Sequence, residues 1–122
     1  MRGRWGTRAT IRSVKKLGAK VKKELGLEIG INDISYANGA LMPPHASHRN
    51  GVDVDIRLLR KDGAKLPVTI HDAQYSHPRN KRVVELLWTD SNLSFILFND
   101  TKISGVQYYV NHHHHMHAHF KT

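Results

Sequence analysis

Strict alternation of apolar and polar residues marks one strand in the middle of the chain. From Val52 to Leu58 every second residue is apolar, and Asp53 and Asp55 stand at two of the polar positions. Successive side chains of a strand point to opposite faces of its sheet. The pattern therefore predicts a strand with one buried face, both aspartates on the other face, and a bend at the Asn-Gly pair that precedes it.

A second alternation lies near the C-terminus, where residues 112–120 hold six histidines. If Met116, Ala118 and Phe120 form the buried side of a strand, the histidines between them share the opposite face. These are His115, His117 and His119. Two imidazoles at positions i and i+2 of one strand can point into the same pocket, so this segment is a candidate source of metal ligands.

Helical spacing predicts two helices. Apolar residues recur at steps of three and four near the N-terminus, as in an amphipathic helix. They are Ile11, Val14, Leu17, Val21 and Leu25. Thr7 is predicted to cap this helix. A second helix is predicted from Pro78 to about Thr89, because proline suits an early helical position.

Shorter apolar runs predict three further strands, over residues 27–31, 93–98 and 105–110, with a hairpin turn between the last two. Together the elements predict an α+β fold with a small, mostly antiparallel sheet and two helices on one side. A chain of 122 residues has room for one compact core. A single domain over residues 1–122 is therefore expected.

The formal net charge of +9 is concentrated in the first predicted helix. Residues 1–24 contain nine Lys or Arg and one Glu, so the polar face of that helix is almost wholly basic. Such a face attracts polyanions, although most charged helix faces serve only solubility. No aromatic residues are interleaved with the basic ones to stack on bases, which argues against nucleic-acid binding.

Cysteine is absent, which excludes disulfides and thiolate metal ligands. No apolar run is long enough to cross a bilayer, and residues 1–5 lack the hydrophobic stretch of a secretory signal. A removed leader or another export route is expected if the protein works outside the cytoplasm. Any metal site must use histidine and carboxylate side chains.

His48 and Asp55 are candidate ligands on either side of the predicted bend. Zinc binds imidazole nitrogen and carboxylate oxygen, and catalytic zinc sites keep about three protein ligands and one position for water. The third ligand is expected from the histidine run. Two other interpretations of that run stay open, a purification tag and a histidine-rich metal store without catalysis.

The chain resembles the penicillin-insensitive murein endopeptidases, which belong with lysostaphin-type enzymes, D-Ala-D-Ala carboxypeptidases and the hedgehog signalling domain. Three segments carry the resemblance: Pro44-His45-Ala46-Ser47-His48, Gly51-x-Asp53-Val54-Asp55-Ile56 and His112-x-x-His115-x-His117. Smaller similarities are Trp5-Gly6-Thr7, Asp33-Ile34-Ser35 and Phe98-Asn99-Asp100. The resemblance covers most of the chain and implies a fold like that of the hedgehog domain and the D-Ala-D-Ala peptidases.

The resemblance also implies roles for individual residues. It implies a zinc ion with a water molecule and three protein ligands, His48, Asp55 and His117. His115 would be the general base that takes the proton of that water and passes it to the leaving amine. His45 and His112 would flank the metal, where they orient the substrate or stabilise the oxyanion.

The register of the histidine run has two solutions. The sets His112, His115, His117 and His114, His117, His119 satisfy the same internal spacing. In the family pattern the last histidine is followed, after one residue, by a basic residue and then phenylalanine. Phe120 therefore favours the first set, with His119 in the basic position.

The resemblance implies peptidoglycan as the substrate and hydrolysis of the D-alanyl to meso-diaminopimelyl cross-link peptide. It places the protein in the cell envelope, either in the periplasm or outside the cell. Related enzymes cut D-Ala-D-Ala ends or L-Ala-D-Glu bonds with much the same ligands, so these activities remain alternatives. A zinc-binding module without catalysis is a further alternative.

Overall fold

The structure is a computed structural model and describes residues 2–36 and 51–121. Its elements in chain order are α1 (Arg2–Leu25), β1 (Ile31–Tyr36), β2 (Gly51–Arg57), α2 (His77–Leu87), β3 (Leu93–Leu97) and β4 (His115–Lys121). The predicted α+β fold is confirmed. Within these ranges, neither helix has the combination of length and apolar character that a membrane crossing requires.

The four strands form one antiparallel sheet in the order β1-β2-β4-β3. The last strand in the chain, β4, therefore lies inside the sheet, with β2 on one side and β3 on the other. Its register places Asp53 opposite His119 and Asp55 opposite His117. The two alternations seen in the sequence are thus in phase, and the acidic and imidazole side chains share one face, here called the polar face.

The opposite face of the sheet is apolar and carries both helices. Val54, Met116 and Ala118 are fully buried there, and they belong to one core with Leu17 and Val21 of α1. Fully burying an aliphatic side chain stabilises a fold by about 1.5–3 kcal/mol. This packing confirms the predicted placement of the helices and leaves the polar face to the candidate site.

The first helix differs from its prediction in start and in orientation. It begins at Arg2, so the prediction that Thr7 caps it is wrong: the helical backbone already runs through that residue. Its most buried residues are Thr10, Ser13, Leu17 and Val21, whereas Ile11 is 38% exposed. The buried side of the helix is therefore rotated relative to the predicted apolar stripe, and two small polar residues, Thr10 and Ser13, face the core.

The second helix agrees with its prediction. Ser76 is the N-cap, with its hydroxyl accepting a hydrogen bond from the backbone N–H of Arg79, and Pro78 stands in the first turn. Asn80 is fully buried and exchanges hydrogen bonds with both the N–H and the carbonyl of Leu59. The start of α2 is therefore fixed to the segment that follows β2.

Two predicted strands are wrong. Residues 27–30 lie beyond the end of β2. Among them, only Gly30 forms a backbone hydrogen bond to that strand, with its carbonyl accepting the N–H of Arg57. The strand in this region is instead β1, over residues 31–36. Over residues 105–110 only Gln107 bridges to Leu97, because the segment leaves the sheet edge directly and Tyr108 is exposed.

Candidate metal centre

Two adjacent strands and one turn supply the side chains of the candidate site. Asp53 and Asp55 project from β2, and His115, His117 and His119 project from β4 on the same face. The chain reaches β4 through Asn111, which has a left-handed φ of 68°. Directly after it, His112 Nδ1 donates a hydrogen bond to the carbonyl of Val110 at 2.9 Å. The turn thus directs a sixth side chain toward the polar face.

Three imidazoles converge at this place. His112, His115 and His117 each offer one nitrogen, and these three atoms lie within 4.8 Å of one another. The ring of His112 is 4.9 Å from that of His115 and 5.6 Å from that of His117, measured between centroids. The cluster can hold a metal ion by the spacing of its donors.

The two aspartates flank His117. Its Nδ1 lies 3.3 Å from Asp55 Oδ1, and its Nε2 lies 3.0 Å from Asp53 Oδ1. The second contact is an ion pair with poor hydrogen-bond geometry, and Nε2 has no other partner among the described residues. The two ring nitrogens of His117 therefore face two different carboxylates, Asp55 on one side and Asp53 on the other.

His119 holds the carboxylate of Asp53 in place. It is 1% exposed, and its Nδ1 donates a 2.6 Å hydrogen bond to Asp53 Oδ1. Its ring stacks on Phe95 with a centroid separation of 4.6 Å and an interplanar angle of 4°. Phe95 and His119 therefore fix the carboxylate of Asp53, which in turn faces His117.

The electrostatic environment gives the three clustered histidines different pKa values. Burial lowers the pKa of His115 to about 4 and also lowers the pKa of His112. Burial disfavours charge on His117 as well, but the carboxylates of Asp53 and Asp55 outweigh it and raise its pKa to about 9. The site thus favours one positive charge beside the two carboxylates.

The same features fit a divalent transition metal. Neutral imidazole and carboxylate are the ligands of zinc, and an additional carboxylate behind a ligating histidine is the usual support of such sites. Two carboxylates stabilise a proton on His117 in the free protein, and the same negative charge attracts a metal cation. The donor types and their spacing agree on this interpretation.

Comparison with known protein families decides the class of the protein. The sequence model of the penicillin-insensitive murein endopeptidase family matches residues 1–103. This chain belongs to that family. Membership makes it a peptidase of the murein endopeptidase class, whose substrate is peptidoglycan. The matched range runs from α1 through β3 and includes Asp55, and it ends before β4. Comparison with curated proteins and with solved structures gave no match.

The structure places the predicted site residues of this family member as follows. Asp55, His112, His115 and His117 lie together on the polar face. His45 and His48 lie outside the described residues. Of the second histidine set, His114 is exposed and His119 is bound to Asp53.

Sequence reasoning missed Asp53 and Phe95 as parts of the site. The alternation that put Asp55 on the polar face also put Asp53 there, so the signal for the first was present. No pattern along the chain identifies Phe95, because its contact with His119 arises only when β3 pairs with β4.

Proposed function

We propose that this murein endopeptidase is zinc-dependent and hydrolyses the D-alanyl to meso-diaminopimelyl cross-link of peptidoglycan. The observation that carries the proposal is the convergence of His112, His115 and His117 beside two carboxylates, in a chain of this family. The D-alanyl specificity and the location in the cell envelope rest on the family resemblance.

His117 and Asp55, together with His48, are the proposed zinc ligands. His117 Nδ1 lies 3.3 Å from Asp55 Oδ1, and this proximity supports the assignment of both residues, because a metal shared by them would bind this nitrogen. The assignment of His48 rests on the sequence pattern. When bound, zinc supplies a water molecule with a pKa of about 7 and polarises the scissile carbonyl.

His115 is the proposed general base. Its lowered pKa keeps the ring neutral at neutral pH, so that it has a lone pair with which to accept a proton. It stands two residues before His117 on the same face of β4, and its Nε2 lies 3.8 Å from Asp55 Oδ1. From this position it would accept the proton of the nucleophilic water and deliver it to the leaving amine.

His112 is proposed to orient the substrate peptide, a role shared with His45. The carbonyl of Val110 can only accept a hydrogen bond, so the proton of the neutral ring is on Nδ1. Nε2 then presents a lone pair, which accepts a hydrogen bond from a substrate N–H. Stabilisation of an oxyanion would require a proton at Nε2, and burial of the ring opposes that second proton.

The test is incubation with purified cross-linked muropeptide dimers, followed by mass spectrometry of the products. The expected result is conversion to monomers that stops with a chelator and returns with zinc. His71→Ala, a change of an exposed histidine outside the cluster, is the matched control and should leave the rate unchanged. Release of terminal D-alanine or cleavage at L-Ala-D-Glu would contradict the proposed bond, and intact dimers with one bound zinc would contradict catalysis.

A further inference from the structure

A groove lies on the side of the molecule away from the metal centre. It has a volume of about 230 Å³ and runs between α1 and residues 89–92, the segment that joins α2 to β3. Its floor includes Leu17, Leu87 and Phe120, which are core residues of the apolar face. A peptide bound at the histidine cluster cannot reach it, because the sheet separates the two places.

One wall of the groove is a row of cations. Arg12, Lys16 and Lys20 follow one another at intervals of four residues along α1, so their attachment points are about 6 Å apart along the helix axis. None of the three lies within ion-pair distance of a carboxylate in the described part of the chain. The Nζ of Lys20 donates a 2.8 Å hydrogen bond to Thr89 Oγ1, which ties it to the opposite wall.

The opposite wall offers neutral hydrogen-bonding groups. Thr89, Ser91 and Asn92 line it, together with one acid, Asp90. The Oδ1 atom of Asp90 accepts the backbone N–H of Asn92 at 2.8 Å and so belongs to the local turn. Three cations face this single carboxylate, and the groove therefore retains an excess of positive charge.

We propose that this groove binds a carboxylate-bearing stem peptide of the insoluble wall, separate from the peptide that is cleaved. The inference rests on the proposed function, because diaminopimelyl stems carry the carboxylates that such a row of cations recognises. Nucleic acid fits less well, since the aromatic residue at the groove, Phe120, is 1% exposed and cannot stack on a base. The groove would hold the enzyme on the polymer while the metal centre acts on another stem.

The test compares two triple variants with the same change in net charge. The groove variant is Arg12→Gln, Lys16→Gln and Lys20→Gln. Its matched control is Lys15→Gln, Lys22→Gln and Lys23→Gln, on the same helix but outside the groove. Binding is measured by co-sedimentation with purified sacculi stripped of phosphate polymers, and hydrolysis is measured separately on soluble muropeptide dimers.

The groove variant should bind sacculi about tenfold or more weakly than the control, because it loses three exposed cations, each of which contributes a weak ion pair. Both variants should hydrolyse soluble dimers at the wild-type rate. The wild-type protein should no longer co-sediment with sacculi whose carboxyl groups have been converted to methylamides.

Equal loss in both variants, or none in the groove variant, would overturn the inference. So would retention on the methylamide sacculi, or tighter binding to single-stranded DNA than to sacculi. If the wild-type protein binds sacculi through the groove but leaves dimers intact, the proposed activity fails and the groove assignment stands.

Discussion

The described residues contain two networks of histidine and carboxylate that differ in how completely their hydrogen bonds are formed. At the start of α2, Asp100 Oδ2 accepts hydrogen bonds from Tyr75 Oη at 2.5 Å and His77 Nδ1 at 2.7 Å. Its other oxygen accepts the backbone N–H of Lys102. On the polar face, by contrast, His117 lies between two carboxylates, and its buried Nε2 makes no well-formed hydrogen bond within the described part of the chain.

The difference separates a structural network from one prepared for a ligand. A buried polar network stabilises a fold when every member is paired, and an unpaired member costs free energy. The Asp100 network joins α2 to the turn after β3, and both oxygens of its carboxylate accept hydrogen bonds. The network around His117 gathers three imidazoles whose nitrogens could hold a metal ion. The following predictions test this contrast.

The largest effect is expected at the histidine cluster. His117→Ala should remove bound zinc and abolish hydrolysis. His115→Ala should keep about one zinc per chain while kcat falls by about 10²–10⁴-fold, the usual contribution of a general base. Zinc content after dialysis, measured by mass spectrometry, and turnover of muropeptide dimers distinguish the two roles. Loss of zinc from His115→Ala would show instead that His115 is itself a zinc ligand.

A smaller effect is expected at Asp53, whose carboxylate faces the Nε2 of His117, on the side of the ring away from Asp55. Asp53→Asn removes one of the two negative charges that favour a cation at the site, so zinc should bind about 10–100-fold more weakly. Competition with a chromophoric chelator measures this affinity. Asp62→Asn, at an exposed carboxylate paired with Arg60, is the control and should leave the zinc affinity unchanged. An unaltered affinity in Asp53→Asn would remove Asp53 from the site.

The opposite pattern is expected at Asp100. Asp100→Asn should lower the free energy of unfolding by about 1–3 kcal/mol, because the buried hydroxyl of Tyr75 and the partly exposed ring of His77 lose a charged acceptor. Zinc affinity should not change. Urea denaturation measures the stability, and Tyr75→Phe, which removes one donor, should cost less than Asp100→Asn. A zinc affinity that falls with Asp100→Asn would show that the two networks are coupled.

The smallest effect concerns pH. Burial alone would raise the pKa of Asp100, but the hydrogen bonds from Tyr75 and His77 outweigh it and hold the pKa below its ordinary 3.8. A carboxyl with a lowered pKa in the folded state stabilises the fold above its unfolded pKa, and this contribution disappears as pH falls through the folded pKa. The stability difference between wild type and Asp100→Asn should therefore shrink between about pH 5 and pH 2. Urea titrations across that range would contradict this if the difference grew.

Much of the site could be predicted because two strands carry strict alternation. Period two placed Asp53 and Asp55 on one face of β2, and His115 and His117 on one face of β4. The antiparallel fold class followed from the same patterns. That β2 and β4 are neighbours was not encoded in either strand, and only the family resemblance brought them together.

Other features depend on tertiary contacts that leave no local signal. The position of His112 is set by the left-handed turn at Asn111, and the fixing of Asp53 depends on stacking across from β3. The predicted strand over residues 105–110 failed for a related reason. Its apolar residues favour a strand, but Gln107 bridges in parallel to Leu97, the last residue of β3, so the residues after Gln107 have no strand residue left to pair with.

The position of β4 inside the sheet has a consequence for the timing of activity during synthesis. During synthesis α1, β1, β2, α2 and β3 emerge from the ribosome before β4 does. Until residues 115–121 emerge and enter between β2 and β3, Asp53 and Asp55 have no imidazoles opposite them. A chain that has not yet added β4 therefore lacks the imidazoles of the proposed site, and the site forms in the same step as the middle of the sheet.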